Sequence, residues 1–298
     1  MGLTEHNNIS IAQIVVFLPA LAVAIFLCIR HGFGRNAGWL LLVIFSLARI
    51  IGASLQLATI SQPTNLSLYF GALTLQGIGL SNLIIVLLAL INRVVTSIEK
   101  ARSAVINPRV LRAGQVVVLV ALILGAVGNS NSGTQYAQTG VFVVSPLTQA
   151  GTALTIAGFV LVVFATLAVG KNVAHAEPGE KRIVGAVALS LPFLLVRIIY
   201  SAVGTYQPNS AFNSRTGDVN IFLGTAVIEE IIIVFILEAM GVTLNVLPKQ
   251  ETAATESSFL GRMADVLGNR RSRRSNHRSR RYDGYEMSER DSPRGDIR

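Results

Sequence analysis

Residues 68–91 read LYFGALTLQGIGLSNLIIVLLALI, without one acidic or basic side chain. At ~1.5 Å of rise per residue, a helix of this length crosses a hydrocarbon layer of ~30 Å. Nothing alternates between apolar and polar as a strand requires, and a continuous helix satisfies every backbone N–H and C=O internally, as lipid demands. Working outward, six further apolar stretches lie at residues 9–29, 37–60, 113–128, 146–169, 183–204 and 219–246. The reading is an all-α membrane protein, a seven-transmembrane helix bundle over residues 1–248. The fourth stretch is the shortest, and were it only to lie on the surface, the two chain ends would share a side.

Composition agrees. Of 298 residues 51% are hydrophobic and 14% charged, whereas a soluble domain is about 25% charged. Twelve of the 25 Lys and Arg and eight of the 16 Asp and Glu fall in residues 249–298, leaving 13 and eight for the first 248. A soluble enzyme and a disordered regulator are excluded on these grounds. Cys28 stands alone, so an intrachain disulfide or a cysteine-based metal site is excluded too.

Loop charges set the direction, because Lys and Arg are retained on the cytoplasmic side. The connections after the first, third and fifth stretches hold Arg30, Arg35, Arg93, Lys100, Arg102, Arg109, Arg112, Lys171, Lys181 and Arg182; the alternate connections hold only Arg215. That predicts an amino terminus outside, a carboxyl terminus in the cytoplasm, and an odd number of crossings. Two glycosylation acceptor patterns, at Asn8 and Asn65, fall on the side assigned as external. The first apolar run has no basic residue before it and is too long for a signal-peptide core, so it reads as an uncleaved helix.

Past Pro248 the composition changes. Phe259, Leu260, Met263, Val266 and Leu267 recur at helical spacing, which suggests a short amphipathic helix over 257–267 on the inner membrane surface. Arg270, Arg271, Arg273, Arg274, Arg278, Arg280 and Arg281 then crowd into twelve residues among serines. This basic cytoplasmic tail reads as mostly disordered, with anionic lipid as the partner of its arginines and serine phosphorylation as the means of release.

Five ionisable residues lie within the apolar stretches: Arg49, Arg197, Glu229, Glu230 and Glu238. An ion in lipid costs several kcal/mol unless paired or watered, so each is expected to face the bundle interior. Counting inward from the external helix ends at ~1.5 Å per residue puts Arg49 ~16 Å deep, Arg197 ~9 Å, and the glutamate pair ~12 to 14 Å. Two cations and two anions thus share a layer near the midplane. Neighbouring helix positions point ~100° apart, so the expectation is that Arg197 takes one glutamate and Arg49 the other. Gln76, Ser81, Asn82 and Tyr200 supply hydrogen-bond partners to the same layer, while Glu238 reaches the inner interface. The plain alternative is that these ions are interhelical glue with no ligand.

A repeat bears on the architecture. Phe45 to Ile51 aligns with Phe193 to Ile199, and at the same offset of 148 Ser81 to Val86 aligns with Glu229 to Val234. Helices one to three and five to seven would then be parallel repeats, a 3+1+3 arrangement with the fourth helix as connector, as in transporters whose site lies between halves.

Several chemistries lack their residues. None of Lys100, Lys171, Lys181 or Lys249 is placed in the membrane to carry retinal, and His6, His31, His175 and His277 all fall outside the apolar stretches, so no intramembrane metal site is expected. Glu229-Glu230 is similar to the double glutamate of intramembrane glutamic proteases, but Val234 stands where those need an arginine. No enzymatic activity and no cofactor are expected, and no nucleic-acid partner. A rhodopsin-type receptor fits the helix count, but no acidic residue precedes Arg93 and the last helix lacks an Asn-Pro-x-x-Tyr pattern.

Cys28 to Arg35 with Gly38-Trp39, Phe45 to Ala53, Leu191 to Arg197 with Tyr200-Ser201, and Glu229-Glu230 together resemble an uncharacterised family of seven-helix integral membrane proteins from filamentous fungi. The resemblance runs from the first helix to about Gly241 and leaves out the tail. It implies the architecture and a fungal membrane, plasma or secretory-pathway, and no reaction. More distantly the chain is similar to fungal lipid-translocating-exporter-like and receptor-like seven-helix proteins. The expected function is binding or moving a small or lipidic molecule at a layer built from Arg49, Gln76, Asn82, Arg197, Tyr200, Glu229 and Glu230. The other class is a sensor that engages a cytoplasmic protein through its loops and tail.

Overall fold

The computed structural model describes residues 5–31, 37–101, 106–172, 179–207 and 223–244, and all regular structure among them is helical. The helices are α1 (Glu5–His31), α2 (Ala37–Ala58), α3 (Leu66–Ala101), α4 (Pro108–Thr139), α5 (Pro146–Asn172) and α6 (Lys181–Tyr206). All six are long and apolar enough to cross a membrane, which makes this a multi-pass integral membrane protein. A single π-helical turn, Leu223–Val227, then leads into α7 (Ile228–Thr243). The amphipathic helix expected over 257–267 and the arginine run from Arg270 to Arg281 lie outside the described residues.

Two helices outrun their apolar stretches by ten residues or more. α3 continues from the expected end at residue 91 to Ala101, and α4, expected over 113–128, spans Pro108–Thr139. The ends of α4 have local causes. Asn107 accepts a hydrogen bond from the Arg109 backbone N–H at 2.9 Å, Pro108 opens the first turn, and Gly140 closes the helix with a left-handed φ of 70°. An Asn cap, a Pro at the first helical position and a Gly just past the last are the three residues that suit those positions. α3 starts on a similar device, Asn65 Oδ1 accepting from Ser67 N at 3.2 Å.

The bundle is apolar outside as well as inside. Val15 is 64% exposed and Phe164 and Leu167 63% each, side chains that a protein in water would bury and that a hydrocarbon solvent accepts. At the centre is α3, packed against α2, α4, α5 and α6, with every residue from Leu80 to Ile91 except Ala89 buried. That position explains its sequence: a helix surrounded by helices is apolar all round.

At the end of the bundle that carries His31, two arginines and a histidine close α7. Arg30 Nη1 donates to the Val242 carbonyl at 2.7 Å, Arg182 Nη1 to that of Thr243 at 3.2 Å, and His31 Nε2 lies 3.1 Å from that of Gly241. The last carbonyls of a helix have no partner in the helix and carry its negative pole, so these contacts satisfy and neutralise them. The His31 ring stacks on Trp39 with 5.5 Å between centroids, and Trp39 in turn lies against Gly241. Nearby, Arg93 Nε pairs with Glu180 Oε1 at 3.2 Å, tying α3 to the start of α6.

Candidate functional site

Arg49 on α2, Arg197 on α6 and Glu230 on α7 meet in the bundle interior. Arg49 Nη2 and Arg197 Nε both donate to one oxygen, Glu230 Oε1, the latter at 3.0 Å. The three residues are 3%, 4% and 1% exposed, so the triad is dry enough for its charges to interact strongly. The expectation of one arginine per glutamate is therefore corrected: both guanidinium groups use Glu230. The π turn immediately before α7 adds a residue to the helical turn and sets the phase that aims Glu230 at the centre, and its neighbour then points ~100° away. Glu229 is still 8% exposed and lies within electrostatic reach of Arg197, with its Oε2 lacking a hydrogen-bond partner among the described residues.

The supporting groups divide. Gln76 contributes its backbone carbonyl, which accepts from Arg49 Nη2 at 3.2 Å, while its side-chain Nε2 is buried without a partner among the described residues. Asn82 is turned the other way and donates to the Leu41 carbonyl at 3.0 Å, fastening α3 to α2. Ser81 hydrogen-bonds Thr155 on α5 at 3.1 Å. The Tyr200 ring lies 5.7 Å from the Arg197 guanidinium carbon and the Phe45 ring 5.2 Å from that of Arg49, cation–π contacts that help hold both cations in an apolar setting. Glu238 is buried within the bundle. It lies two turns after Glu230 on the same side of α7, is 3% exposed, and its Oε1 has no partner among the described residues.

A cavity of about 150 Å³ opens beside the triad, walled by α3, α4, α5 and α6. Arg197 forms part of its lining together with Ser81, Asn129, Thr152, Thr155 and Tyr200, set among apolar groups such as Phe70 and Leu122. The profile of a domain of unknown function, DUF7702, matches residues 3–247, which takes in the whole triad and every wall of the cavity. The chain belongs to the DUF7702 family. No curated protein and no solved structure matches it.

In this DUF7702 chain, Arg197, Tyr200 and Ser81 on the cavity wall were picked from sequence, and the walls from α4 and α5 were not. Asn129, Thr152 and Thr155 lie on α4 and α5, which hold no charged residue near that depth, so no signal marked them. Gly79 also went unmarked: a Cβ there would stand 2.6 Å from Arg49 Cζ, so the glycine is what lets the guanidinium cross α3 toward Glu230. Of the glycosylation candidates, Asn8 is exposed on α1, and Asn65 engages both amide atoms, with Gln62 and with Ser67 N. Among the described residues no group of three or more His, Cys, Asp or Glu side chains is placed to hold a metal ion.

Proposed function

We propose that the protein crosses the membrane seven times, amino terminus outside, and binds or moves a small or lipidic molecule at the Arg49–Glu230–Arg197 layer. One observation carries the reading: Arg197 belongs at once to the buried triad and to the cavity wall. A molecule in the cavity meets a guanidinium whose other contact is the α7 carboxylate. Its arrival therefore competes with the ion pair that joins α6 to α7, and a switchable ion pair between helices is a means of alternating between two arrangements. Interhelical glue alone calls for no cavity lined by hydroxyl groups and one cation. α7, with the π turn before it, is the seventh crossing, and the carboxyl-terminal tail then lies in the cytoplasm. A fungal plasma or secretory-pathway membrane is the setting that the family resemblance suggests.

The receptor-like alternative draws on a different observation. α3 runs unbroken from the cavity at Ser81 to the Arg93–Glu180 pair, and α7 runs from Glu230 to carbonyls held by Arg30, His31 and Arg182. Both helices are rigid links from the site to one end of the bundle, where a partner protein would respond. The experiment that separates the two uses full-length protein in sealed vesicles, loaded with the molecule that native mass spectrometry finds copurified. Flux across the vesicle supports movement; binding without flux, with changed protease access near Arg109, supports sensing. Copurification of nothing, with no effect of Thr152→Phe on any added molecule, counts against both.

A further inference from the structure

We infer that the molecule held over Arg197 presents a single negative group, a carboxylate of charge −1, and that Glu229 is its rival inside the protein. The inference rests on the preceding reading that the cavity is a binding site, and it names the ligand class.

Three observations lead there. First, Arg197 is the one charged side chain in the cavity lining among the described residues; Arg49, Glu229 and Glu230 are all outside the lining. A guest therefore meets positive charge set among neutral donors and acceptors. Because Nε is bound to Glu230, the terminal nitrogens of Arg197 are left to bind a planar anion. Second, the triad holds two guanidinium groups and one carboxylate, a formal charge of +1. One further negative charge balances it, while a dianion would leave an uncompensated charge in a low-dielectric interior. Glu229, within electrostatic reach of Arg197 and with Oε2 lacking a partner among the described residues, is the carboxyl group that competes for that place. Third, the volume of about 150 Å³ limits the guest. A protein cavity of about this volume takes a benzene-sized body. An acyl chain would have to leave between the helices with only its head inside.

The free small anion and the head of a lipid-borne acid share this chemistry, and the test separates them. Full-length protein in phosphatidylcholine nanodiscs is titrated with labelled benzoate, with benzamide as the neutral isostere and dodecanoate against dodecanol as the lipidic pair, all corrected for protein-free discs. Saturable benzoate binding that benzamide does not displace is expected. Arg197→Gln should weaken it about tenfold or more, and Glu229→Gln should tighten it about threefold or more by removing the rival charge. Dodecanoate displacing benzoate assigns the ligand to the bilayer, and dodecanoate failing to do so assigns it to the aqueous side; either outcome keeps the inference. Benzamide binding as well as benzoate, or Glu229→Gln leaving binding unchanged or weaker, overturns it. Should Arg197→Gln fail to fold, Glu229→Gln still decides, because that residue is outside the triad. A neutral guest expelled by Thr152→Phe overturns the anion inference alone. If neither benzoate nor dodecanoate binds and Thr152→Phe alters nothing, the cavity reading fails with it.

Discussion

Two guanidinium groups converge on Oε1 of Glu230, and Oε2 of the same carboxylate is buried without a partner among the described residues. Removing that carboxylate strands two buried cations, and a broken buried ion pair costs about 3 to 5 kcal/mol. Glu230→Leu should therefore lower the detergent melting temperature far more than Glu229→Leu, whose side chain holds no arginine by hydrogen bond. Equal losses would argue that the two glutamates share the arginines after all. Gly79 gives a second test at this scale. Gly79→Ala puts a methyl group against a guanidinium that Glu230 and the Gln76 carbonyl hold in place, an overpacking with an expected cost of about 1 to 3 kcal/mol. In an Arg49→Leu background the same change should cost little, and a double-mutant cycle on melting curves that shows no coupling would place Arg49 elsewhere. The sequence made the three charged partners conspicuous, since an ion in an apolar run has to be explained. Which glutamate the arginines choose was not legible, because it depends on the helical phase that the π turn imposes and on a glycine that looks like any other.

Among the helices, α7 packs closely against two named neighbours, Trp39 and Leu27. A Cβ at Gly241 would lie 2.5 Å from Trp39 Cη2 and 2.8 Å from Leu27 Cδ1, while at Gly185 on α6 it would meet nothing within 4 Å. Gly241→Ala is expected to destabilise by about 1 to 3 kcal/mol through overpacking, and Gly185→Ala to stabilise by about 0.5 to 1 kcal/mol through helix propensity. Thermal melts of the two variants in one detergent check the signs; a neutral Gly241→Ala would mean that Trp39 has room to move, loosening its stack on His31. Helix ends were partly written in the chain. Hydropathy stops at Gly128 because Asn129, Ser130, Asn131 and Ser132 follow, yet α4 continues, and its stop at Gly140 follows the glycine rule rather than the apolar one. The extension of α3 past residue 91 is charged, with Arg93 and Glu99, and a hydropathy reading assigns such a stretch to a loop. It is helical because Val94, Val95 and Ile98 bury one face in the core while Arg93 pairs with Glu180.

On the scale of the whole molecule, the two ends of the bundle differ in charge, and that difference carries the proposed topology. Arg30, Arg93, Lys171, Lys181 and Arg182 gather at the end where α1, α3 and α5 finish and α6 begins, and the opposite end, with the connections 59–65 and 140–145, has no basic residue in those connections. Retention of Lys and Arg in the cytoplasm then puts Gln62 and Thr139 outside and Arg109 and Lys171 inside. The fold supplies the means to test this. Cys28 is the single cysteine and is buried, so Cys28→Ser gives a background without thiols, and Gln62, Thr139, Arg109 and Lys171 are all exposed to receive a new one. In intact cells or outside-out vesicles, a membrane-impermeant maleimide should label Gln62→Cys and Thr139→Cys at once, and Arg109→Cys and Lys171→Cys only after permeabilisation. The inverse pattern would turn the protein over and deliver the cavity's guest from the cytoplasm. Labelling of Gln62 and Thr139 on opposite sides would instead mean that α3 and α4 do not both cross, and the odd crossing number would fall with it.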